Sequence, residues 1–255
     1  MPLEEIINRQ GIIISAPASG AGKTTVTLGL INAFARKRSV QPFKSGPDYI
    51  DSKFQSVAAD RPSYNLDTWA MSSSDILNMI GMVGPSDICI AEGSMGLFDG
   101  VISKGAGGNG STADLASITN WPVILVVDCA KQAQSVAALI AGFNSFRHDI
   151  TIGGIILNNI SSKRHEALVV SEVSKTKVPI LGVIPRSNEL TIPERHLGLV
   201  QAEDLSDLEQ LIFKLGTLIE ENCDLEAIAC TARNSFPPIS TLQKITPPAQ
   251  RIAIA

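Results

Sequence analysis

The chain has 255 residues, of which 44% are hydrophobic and 18% charged, and its formal net charge is −4. This size and composition suit one α/β domain with a full core and some additional chain. The balance of charges leaves no electrostatic footprint for nucleic acid or anionic membrane. Neither a secretory signal nor an apolar run approaching about 20 residues is present, so the sequence favours a cytoplasmic protein without a membrane partner.

Short apolar runs rich in β-branched residues alternate with helical patterns along the chain. Strands are predicted at 11–16, 40–45, 87–92, 123–128, 153–158 and 180–185, and helices at 24–37, 72–83, 131–146 and 164–175. Several strands are nearly continuous in Val, Ile and Leu, as expected for strands buried on both faces of a parallel sheet. The alternation predicts an α/β three-layer sandwich with a mostly parallel central sheet, whose ligand lies at the carboxyl ends of the strands.

The last part of the chain differs in character. Residues 205–221 carry an apolar stripe at helical spacing, which predicts a surface helix that docks onto the domain. Beyond Asn222, two Pro-Pro pairs frame a segment of little regular pattern, which is typical of a linker. We therefore expect one domain over residues 1–222, followed over 223–255 by a linker and the beginning of a further domain.

A phosphate-binding loop follows the first predicted strand. The motif GxxxxGK[ST] is incomplete because Pro17 stands at the first glycine position, but Gly-Lys-Thr-Thr is intact between a strand and a helix. Its nucleotide-binding residues are Ser19, Gly20, Ala21, Gly22, Lys23, Thr24 and Thr25. The two glycines let backbone N–H groups turn toward a phosphate, Lys23 reaches the β- and γ-phosphates, and the Thr24 hydroxyl is placed to ligate Mg²⁺.

A carboxylate at the end of the predicted strand 87–92 is a second candidate ligand. Glu92 ends an apolar run, and Mg²⁺ prefers carboxylate and phosphate oxygens. The glycine-rich residues that follow indicate a backbone closely approached by a ligand, with Asp99 at its rim. A solvated acid at a strand end, followed by an ordinary surface loop, is the alternative.

The segment Pro-Phe-Lys-Ser-Gly-Pro-Asp-Tyr-Ile-Asp at 42–51 carries a lysine and two acids. Lys44 beside a γ-phosphate would stabilise charge on the transferring group, and Asp48 and Asp51 could hold Mg²⁺ or position a substrate. Aspartates that cap a turn or a helix explain the same spacing equally well.

The four cysteines are Cys89, Cys129, Cys223 and Cys230, and they form no CxxC pair and no spacing typical of zinc sites. Cys89 and Cys129 lie in predicted strands or at their ends, which favours small buried hydrophobes. None of the four lies in a glycine-flanked nucleophile elbow.

With these motifs in view, the sequence resembles the amino-terminal synthetase domain of the cobyrinic acid a,c-diamide synthase family, in the dethiobiotin-synthetase-like group of P-loop proteins. The resemblance runs from about residue 11 to residue 200 in the family's order. The matching stretches are 15–25, 41–51, 65–69, 92–100, 111–116, 154–158 and 195–199. The blocks PFKSGPDYID and EGSMGLFDG are much more specific than the phosphate loop.

The resemblance implies a reaction. ATP and Mg²⁺ activate the a and c acetate carboxylates of a corrin as acyl phosphates, and ammonia then displaces phosphate to form amides. The family usually carries a carboxyl-terminal glutaminase domain that makes the ammonia. Since no matching cysteine is present, we expect this chain to use free ammonia or a separate glutaminase partner; a homodimer is left open.

The resemblance also assigns residues to roles. Lys23, Thr24, Glu92 and one of Asp48 or Asp51 would serve ATP–Mg²⁺, with Lys44 against the transferring phosphoryl group. Asn158 and Pro185 would bind the nucleotide. Tyr49, Ile50 and Asp99 would lie toward the macrocycle and the acyl phosphate. The other carboxylates of the substrate would be bound by Arg186, Arg195 and His196. A strand-end cap is the alternative for Asn158, and a solvated position is the alternative for the last three.

Two rival functions remain open. The same chemistry could act on hydrogenobyrinic acid or nickel-sirohydrochlorin, and the sequence does not separate these tetrapyrroles. Alternatively, the chain could be a partitioning-type ATPase switch of the same fold. Those proteins carry a signature lysine early in the loop, where this chain has Ala18.

Overall fold

The computed structural model describes residues 9–187 and 207–235. The strands in this part of the chain are β1 Arg9–Ser15, β2 Val40–Ser45, β3 Tyr64–Leu66, β4 Ile88–Glu92, β5 Val123–Asp128, β6 Ile152–Ile160, β7 Ile180–Pro185 and β8 Arg233–Ser235. The helices are α1 Lys23–Ala35, α2 Tyr49–Ala59, α3 Ser73–Met82, α4 Thr112–Thr119, α5 Val136–Phe146, α6 Lys163–Val173, α7 Leu208–Asn222 and α8 Leu225–Thr231.

The strands form one sheet in the order β3-β2-β4-β1-β5-β6-β7, all parallel, while β8 pairs antiparallel with the beginning of β1. The chain leaves β1 toward β2 on one side, and after β4 it crosses to β5 on the other side. This reversal of direction at β1 and β4 is a topological switch point, where open α/β sheets bind ligands. The predicted fold class is confirmed.

Two apolar cores lie on opposite faces of the sheet and make the three layers. One core packs α3, α4, α5 and α6 against residues such as Ile13 and Phe43, and the other packs α1, α2, α7 and α8 against Ile12 and Ile14. Successive residues of β1 therefore face opposite cores, which explains the continuous apolar run in its sequence. None of the described helices is long and apolar enough to cross a bilayer.

The fold continues beyond the boundary predicted at residue 222. Helix α8 buries Ile228 completely, and β8 forms backbone pairs from Arg233 to Ser235 with β1. These residues therefore belong to the same domain. The pairing of β1 with β5 starts only at Ile13, and β8 pairs with the earlier residues of β1, from Arg9 to Gly11. The prediction of a linker from residue 223 is corrected to this extent; residues 236–255 lie outside the described part.

Helix α5 begins five residues later than predicted, at Val136. The intervening residues form a turn after β5, in which the Asp128 carboxylate accepts the N–H of Ala130 and the Gln132 side chain donates to the Asp128 carbonyl. An aspartate that bonds the backbone two residues on favours a turn over a helix.

Candidate functional site

The phosphate loop turns through two glycines with positive φ, +79° at Gly20 and +85° at Gly22, and leads directly into α1. This conformation is strained for residues with a side chain. At Gly22 a Cβ atom would also lie 2.3 Å from the Asn158 amide nitrogen. The loop thus brings backbone N–H groups and the positive end of the α1 dipole to the carboxyl end of β1, the arrangement that binds phosphate.

Glu92 is completely buried at the end of β4, beside this loop. Its Oε1 accepts a hydrogen bond of 2.7 Å from the Thr24 hydroxyl, and its Oε2 accepts one of 2.8 Å from the Gln55 amide. In the sheet register Glu92 lies beside Ile14 on one side and Lys44 on the other. The sheet therefore positions this carboxylate between the phosphate loop and the end of β2.

Lys44 is a buried cation at the end of β2. Its Nζ lies 3.3 Å from Asp51 Oδ2 and 3.7 Å from Glu92 Oε1, and donates to the Gly93 carbonyl at 3.1 Å. Burial alone would lower the pKa of Lys44, but the carboxylates of Glu92, Asp51 and Asp48 together outweigh burial and raise that pKa above its ordinary value. Lys44 therefore carries a charge throughout the neutral range.

Lys23, the loop lysine, differs from Lys44 in its electrostatics. Its Nζ donates to the Met95 carbonyl at 2.9 Å. Burial lowers the pKa of Lys23, the Glu92 carboxylate opposes this, and the neighbouring Lys44 cation lowers the pKa further, so that the net change is downward. The two lysines and the acids beside them thus form one charged cluster.

The glycine-rich segment 93–100 lies against the phosphate loop. The Leu97 N–H donates to the Ala16 carbonyl at 2.8 Å, and the exposed Asp99 accepts the N–H of Gly96 at 2.9 Å. A Cβ on Gly96 would lie 2.6 Å from the Pro17 carbonyl oxygen and from the Asp99 carboxylate. Close backbone approach therefore requires the glycine, and Asp99 shapes the segment from its rim.

Helix α2, which the sequence did not predict, begins within the PDYID block. Asp48 is its N-cap and accepts the N–H groups of Ile50 and Asp51, the capping interpretation that the sequence left open. Tyr49 is 62% exposed, in keeping with a contact to a bound molecule, whereas Ile50 is buried in the core. The first helical turn directs the Ile50 side chain inward, and its expected contact with the substrate stays a prediction.

Asn158 and Pro185 lie at strand ends on the other side of the phosphate loop. The buried Asn158 amide donates to the Ala21 carbonyl at 3.0 Å, so that it supports the loop itself. Pro185 is exposed at the end of β7, and Arg186 directly follows it, also exposed. Arg195 and His196 lie outside the described residues. The roles assigned to these residues in nucleotide or substrate binding stay predictions.

The chemistry of the site suits a metal held partly by the ligand. Thr24 Oγ1 and Glu92 Oε1 are oxygens of the kind that Mg²⁺ prefers. Within residues 9–187 and 207–235 no group of three or more His, Cys, Asp or Glu side chains forms a metal site, so phosphate and water oxygens would complete the shell. The buried hydroxyls of Ser15 and Ser45, at the same edge of the sheet, have no hydrogen-bond partner among the described residues.

Gln55 is the site residue that sequence analysis missed. It lies one turn and a half into α2, is fully buried, and donates to Glu92. The sequence contains a signal for it, because Gln55 lies on the buried face of α2 together with the apolar residues Ile50, Phe54 and Ala58. A polar side chain on the apolar stripe of a helix indicates a buried hydrogen-bond partner.

Three of the four thiols lie in surroundings that disfavour nucleophilic chemistry. Burial raises the pKa of Cys89 to about 11 and that of Cys129 and Cys223 to about 12. These three thiols are therefore protonated at neutral pH, and Cys89 and Cys129 pack in the core as predicted.

Comparison with known proteins fits this geometry. Residues 12–200 match the family described as "CobQ/CobB/MinD/ParA nucleotide binding domain". The chain is similar to the hydrogenobyrinate a,c-diamide synthases of Rhodobacter capsulatus, with 44% identity over 247 residues, and Brucella anthropi, with 43% over 251 residues. Each alignment covers 96% of this chain but 57% of the relative, so the chain spans little more than half of those proteins.

A solved structure supports the fold alone. The MinC:MinD cell division protein complex of Aquifex aeolicus aligns with a TM-score of 0.51 and 16% identity, covering 87% of this chain and 93% of that one. At this identity the likeness is one of architecture, and function has to be argued from the site.

Proposed function

This chain belongs to the CobQ/CobB/MinD/ParA nucleotide binding domain family, and from that premise we propose that it is the ATP-dependent synthetase part of a corrin a,c-diamide synthase. The activity is amidation of the a and c acetate carboxylates of the macrocycle. The site supports an enzyme that activates a carboxylate, and the relatives from Rhodobacter capsulatus and Brucella anthropi are named for diamidation of a corrin.

One observation carries the proposal. Lys44 is buried between Asp51 and Glu92 at the end of β2, next to the switch point of the sheet, in the same charged cluster as Lys23 of the phosphate loop. A fixed cation beside the end of a bound triphosphate is what phosphoryl transfer needs, since such catalysis consists mainly of positioning and neutralisation of charge.

The reaction has two steps. A carboxylate oxygen of the substrate attacks the γ-phosphorus of ATP, and the bond to the β–γ bridging oxygen breaks, which gives an acyl phosphate and ADP. Ammonia then attacks the acyl carbon, inorganic phosphate leaves, and the nitrogen loses a proton to give the amide. Lys23 and the loop N–H groups bind the phosphates, and Lys44 faces the transferring group.

The remaining residues bind the metal and the substrate. Thr24 and Glu92 would hold Mg²⁺, which neutralises phosphate charge when it is bound. Asp51 holds Lys44 in place through its ion pair. Tyr49 and Asp99, exposed at the same edge, face the macrocycle and the acyl phosphate.

The names of the relatives favour a metal-free corrin as the first substrate to test. Hydrogenobyrinate and cobyrinate carry the same carboxylates and differ in the central metal, which lies far from the acetate groups that react. The decisive comparison is therefore between these two corrins, with nickel-sirohydrochlorin as a tetrapyrrole of different ring chemistry.

The test is mass spectrometry of each corrin after incubation with the chain, ATP, Mg²⁺ and an ammonium salt, beside a reaction with glutamine instead. Two amidations with ammonium are expected, and none with glutamine, because none of the four cysteines lies in the glycine-flanked nucleophile elbow that a glutaminase needs. The Lys23→Ala variant is the control and should give no amide while remaining folded.

If the protein binds ATP but amidates neither corrin, the proposal is contradicted. If only nickel-sirohydrochlorin is amidated, the substrate is that tetrapyrrole and not a corrin. ATP turnover that depends on a polymer or membrane and never on a tetrapyrrole would instead support the partitioning-type switch.

Binding of ATP should also change the protonation of Lys23. The pKa of this lysine is lowered in the free protein, and triphosphate would favour the charged form. At alkaline pH, below the ordinary lysine value of about 10.4, we expect ATP binding to take up a proton. Calorimetry in two buffers of different ionisation enthalpy measures this uptake.

Lys23→Arg is the matched variant for this measurement, since a guanidinium stays charged at every accessible pH. The proton uptake should disappear in the variant. Lys44 does not contribute, because its pKa is raised and it is already protonated. Equal uptake in both proteins would show that another group titrates.

A further inference from the structure

We infer that Gln55 is a positioning residue that sets the orientation of the Glu92 carboxylate for Mg²⁺–ATP. This inference rests on the proposed function, because it assigns a role in binding the metal–nucleotide complex. Gln55 belongs neither to the phosphate loop nor to the charged cluster of Lys23, Lys44 and the acids beside them.

The first step is the distribution of contacts around Glu92. Oε1 faces Thr24 at 2.7 Å and Lys44 at 3.7 Å, whereas Oε2 is occupied by the Gln55 amide at 2.8 Å. A carboxylate held at one oxygen by a neutral donor presents its other oxygen in one direction. Gln55 thus directs Oε1 toward the Thr24 hydroxyl, where the metal would lie.

The second step is the orientation of the Gln55 amide itself. Its Oε1 accepts a hydrogen bond of 2.8 Å from the Ser63 hydroxyl. With the oxygen occupied by a donor, the NH₂ group has to face Glu92, because a flipped amide would put two oxygens together. Ser63 is in turn held by its N–H, which donates to the Ser56 hydroxyl at 2.9 Å.

The third step is burial. Gln55 and Glu92 are both fully buried, so that water does not compete for either group. An amide in such a place costs free energy unless both of its ends are bonded, and here both are. Residues behind metal ligands commonly fix the geometry of the ligand, and their loss costs about 10- to 100-fold in metal affinity.

The choice of a neutral donor also has a consequence for charge. Lys44 already supplies a cation to Glu92 and Asp51. A second cation in place of Gln55 would compete with Mg²⁺ for the same carboxylate, whereas an amide holds the oxygen without neutralising it. Gln55 therefore leaves the negative charge of Glu92 available to the metal.

The test measures the affinity of the whole chain for ATP, by displacement of a fluorescent ATP analogue, with Mg²⁺ and with a chelator. The readout is the gain in affinity that Mg²⁺ provides. Gln55→Leu should reduce this gain about 10-fold or more, while the affinity measured in chelator stays as in the wild type.

Gln41→Leu is the matched control. Gln41 is also a buried glutamine, near the beginning of β2, and its amide donates to the carbonyls of Pro42 and Pro62, not to the site. Both variants lose buried hydrogen bonds and should melt at lower temperature, but only Gln55→Leu should change the gain from Mg²⁺. If Gln55→Leu fails to fold, Ser63→Ala should give a smaller loss in the same direction.

The outcomes separate the two proposals. Suppose that Mg²⁺ raises the ATP affinity of the wild type and raises that of Gln55→Leu equally. That result would overturn the role of Gln55 but leave the proposed function standing. Ser63→Ala takes the place of Gln55→Leu in this comparison if Gln55→Leu is unfolded. If Gln41→Leu loses as much of the gain in ATP affinity as Gln55→Leu does, the loss is a general effect of reduced stability, and the positioning role of Gln55 is overturned. Wild-type protein that gains no ATP affinity from Mg²⁺ would overturn the proposed function and this inference with it.

Discussion

Replacement of Lys44 by methionine should remove amidation almost entirely and also destabilise the fold. A cation that stabilises the transferring phosphoryl group contributes roughly 10³–10⁵-fold to turnover in related chemistry. Lys44 is 3% exposed and pairs with Asp51 and Glu92, which are buried as well. Without it two buried carboxylates lose the Lys44 counter-charge, a change that costs about 3–5 kcal/mol of unfolding free energy. Thermal or denaturant unfolding at neutral pH measures the loss.

A double variant separates the two effects. Lys44→Met with Asp51→Asn also removes the Asp51 carboxylate, the acid nearest to the Lys44 ammonium, and should regain much of the lost stability, while amidation stays absent. Lys37→Met, at an exposed position on the surface, is the control and should change stability by less than about 0.5 kcal/mol. A stable Lys44→Met protein that retains activity would contradict both the ion-pair argument and the role in phosphoryl transfer.

The sign of the pH dependence follows from the raised pKa of Lys44. A lysine whose pKa is higher in the folded state stabilises the protein wherever it is charged, which includes the whole neutral range. The contribution disappears only as the pH rises above the ordinary lysine value of about 10.4 toward the folded value. The stabilising contribution of the Lys44 charge in the wild type should therefore be constant from neutral to mildly alkaline pH.

The buried strands were predictable because their apolar runs are nearly continuous. Ile12, Ile13 and Ile14 face both cores, and such runs between helical patterns leave few alternatives to a parallel sheet. The carboxyl ends of those strands then bring Lys44 and Glu92 to the phosphate loop, so that this part of the site was also predictable. Strands β3 and β8 were missed, since three residues such as Tyr-Asn-Leu carry no period.

Helix α2 was the most consequential omission. Its buried residues include Asp51, Ser52 and Gln55, which interrupt the apolar stripe that would have indicated a helix. These polar residues are buried because Lys44, Glu92 and Asn65 satisfy them from other strands. Such partners are distant in sequence, so the local pattern could not reveal them. For this reason the PDYID block was interpreted as a turn, and no helix was predicted to begin there.

Glu92→Gln should remove most of the Mg²⁺-dependent activity while the protein remains folded. The substitution keeps the shape of the side chain and removes its charge. The oxygen of the new amide could still accept from the Gln55 amide, and its NH₂ group would face Thr24, whose hydroxyl is able to accept as well as donate. Hydrogen bonding is thus preserved, Lys44 loses one of its two ion pairs but keeps the one with Asp51, and the loss of activity falls on the charge that the metal needs.

We expect amidation to fall by about 10²–10³-fold, the size typical of losing one preorganised electrostatic contact in an active site. A Mg²⁺ titration of activity, together with the melting temperature, measures both parts. Glu166→Gln, which removes a carboxylate from a surface ion pair with Lys163, is the matched control and should leave both unchanged. An unaltered Mg²⁺ titration in Glu92→Gln would move the metal to another carboxylate. Asp51 is then the next candidate, because it shares the Lys44 ammonium with Glu92 and lies in the same buried cluster.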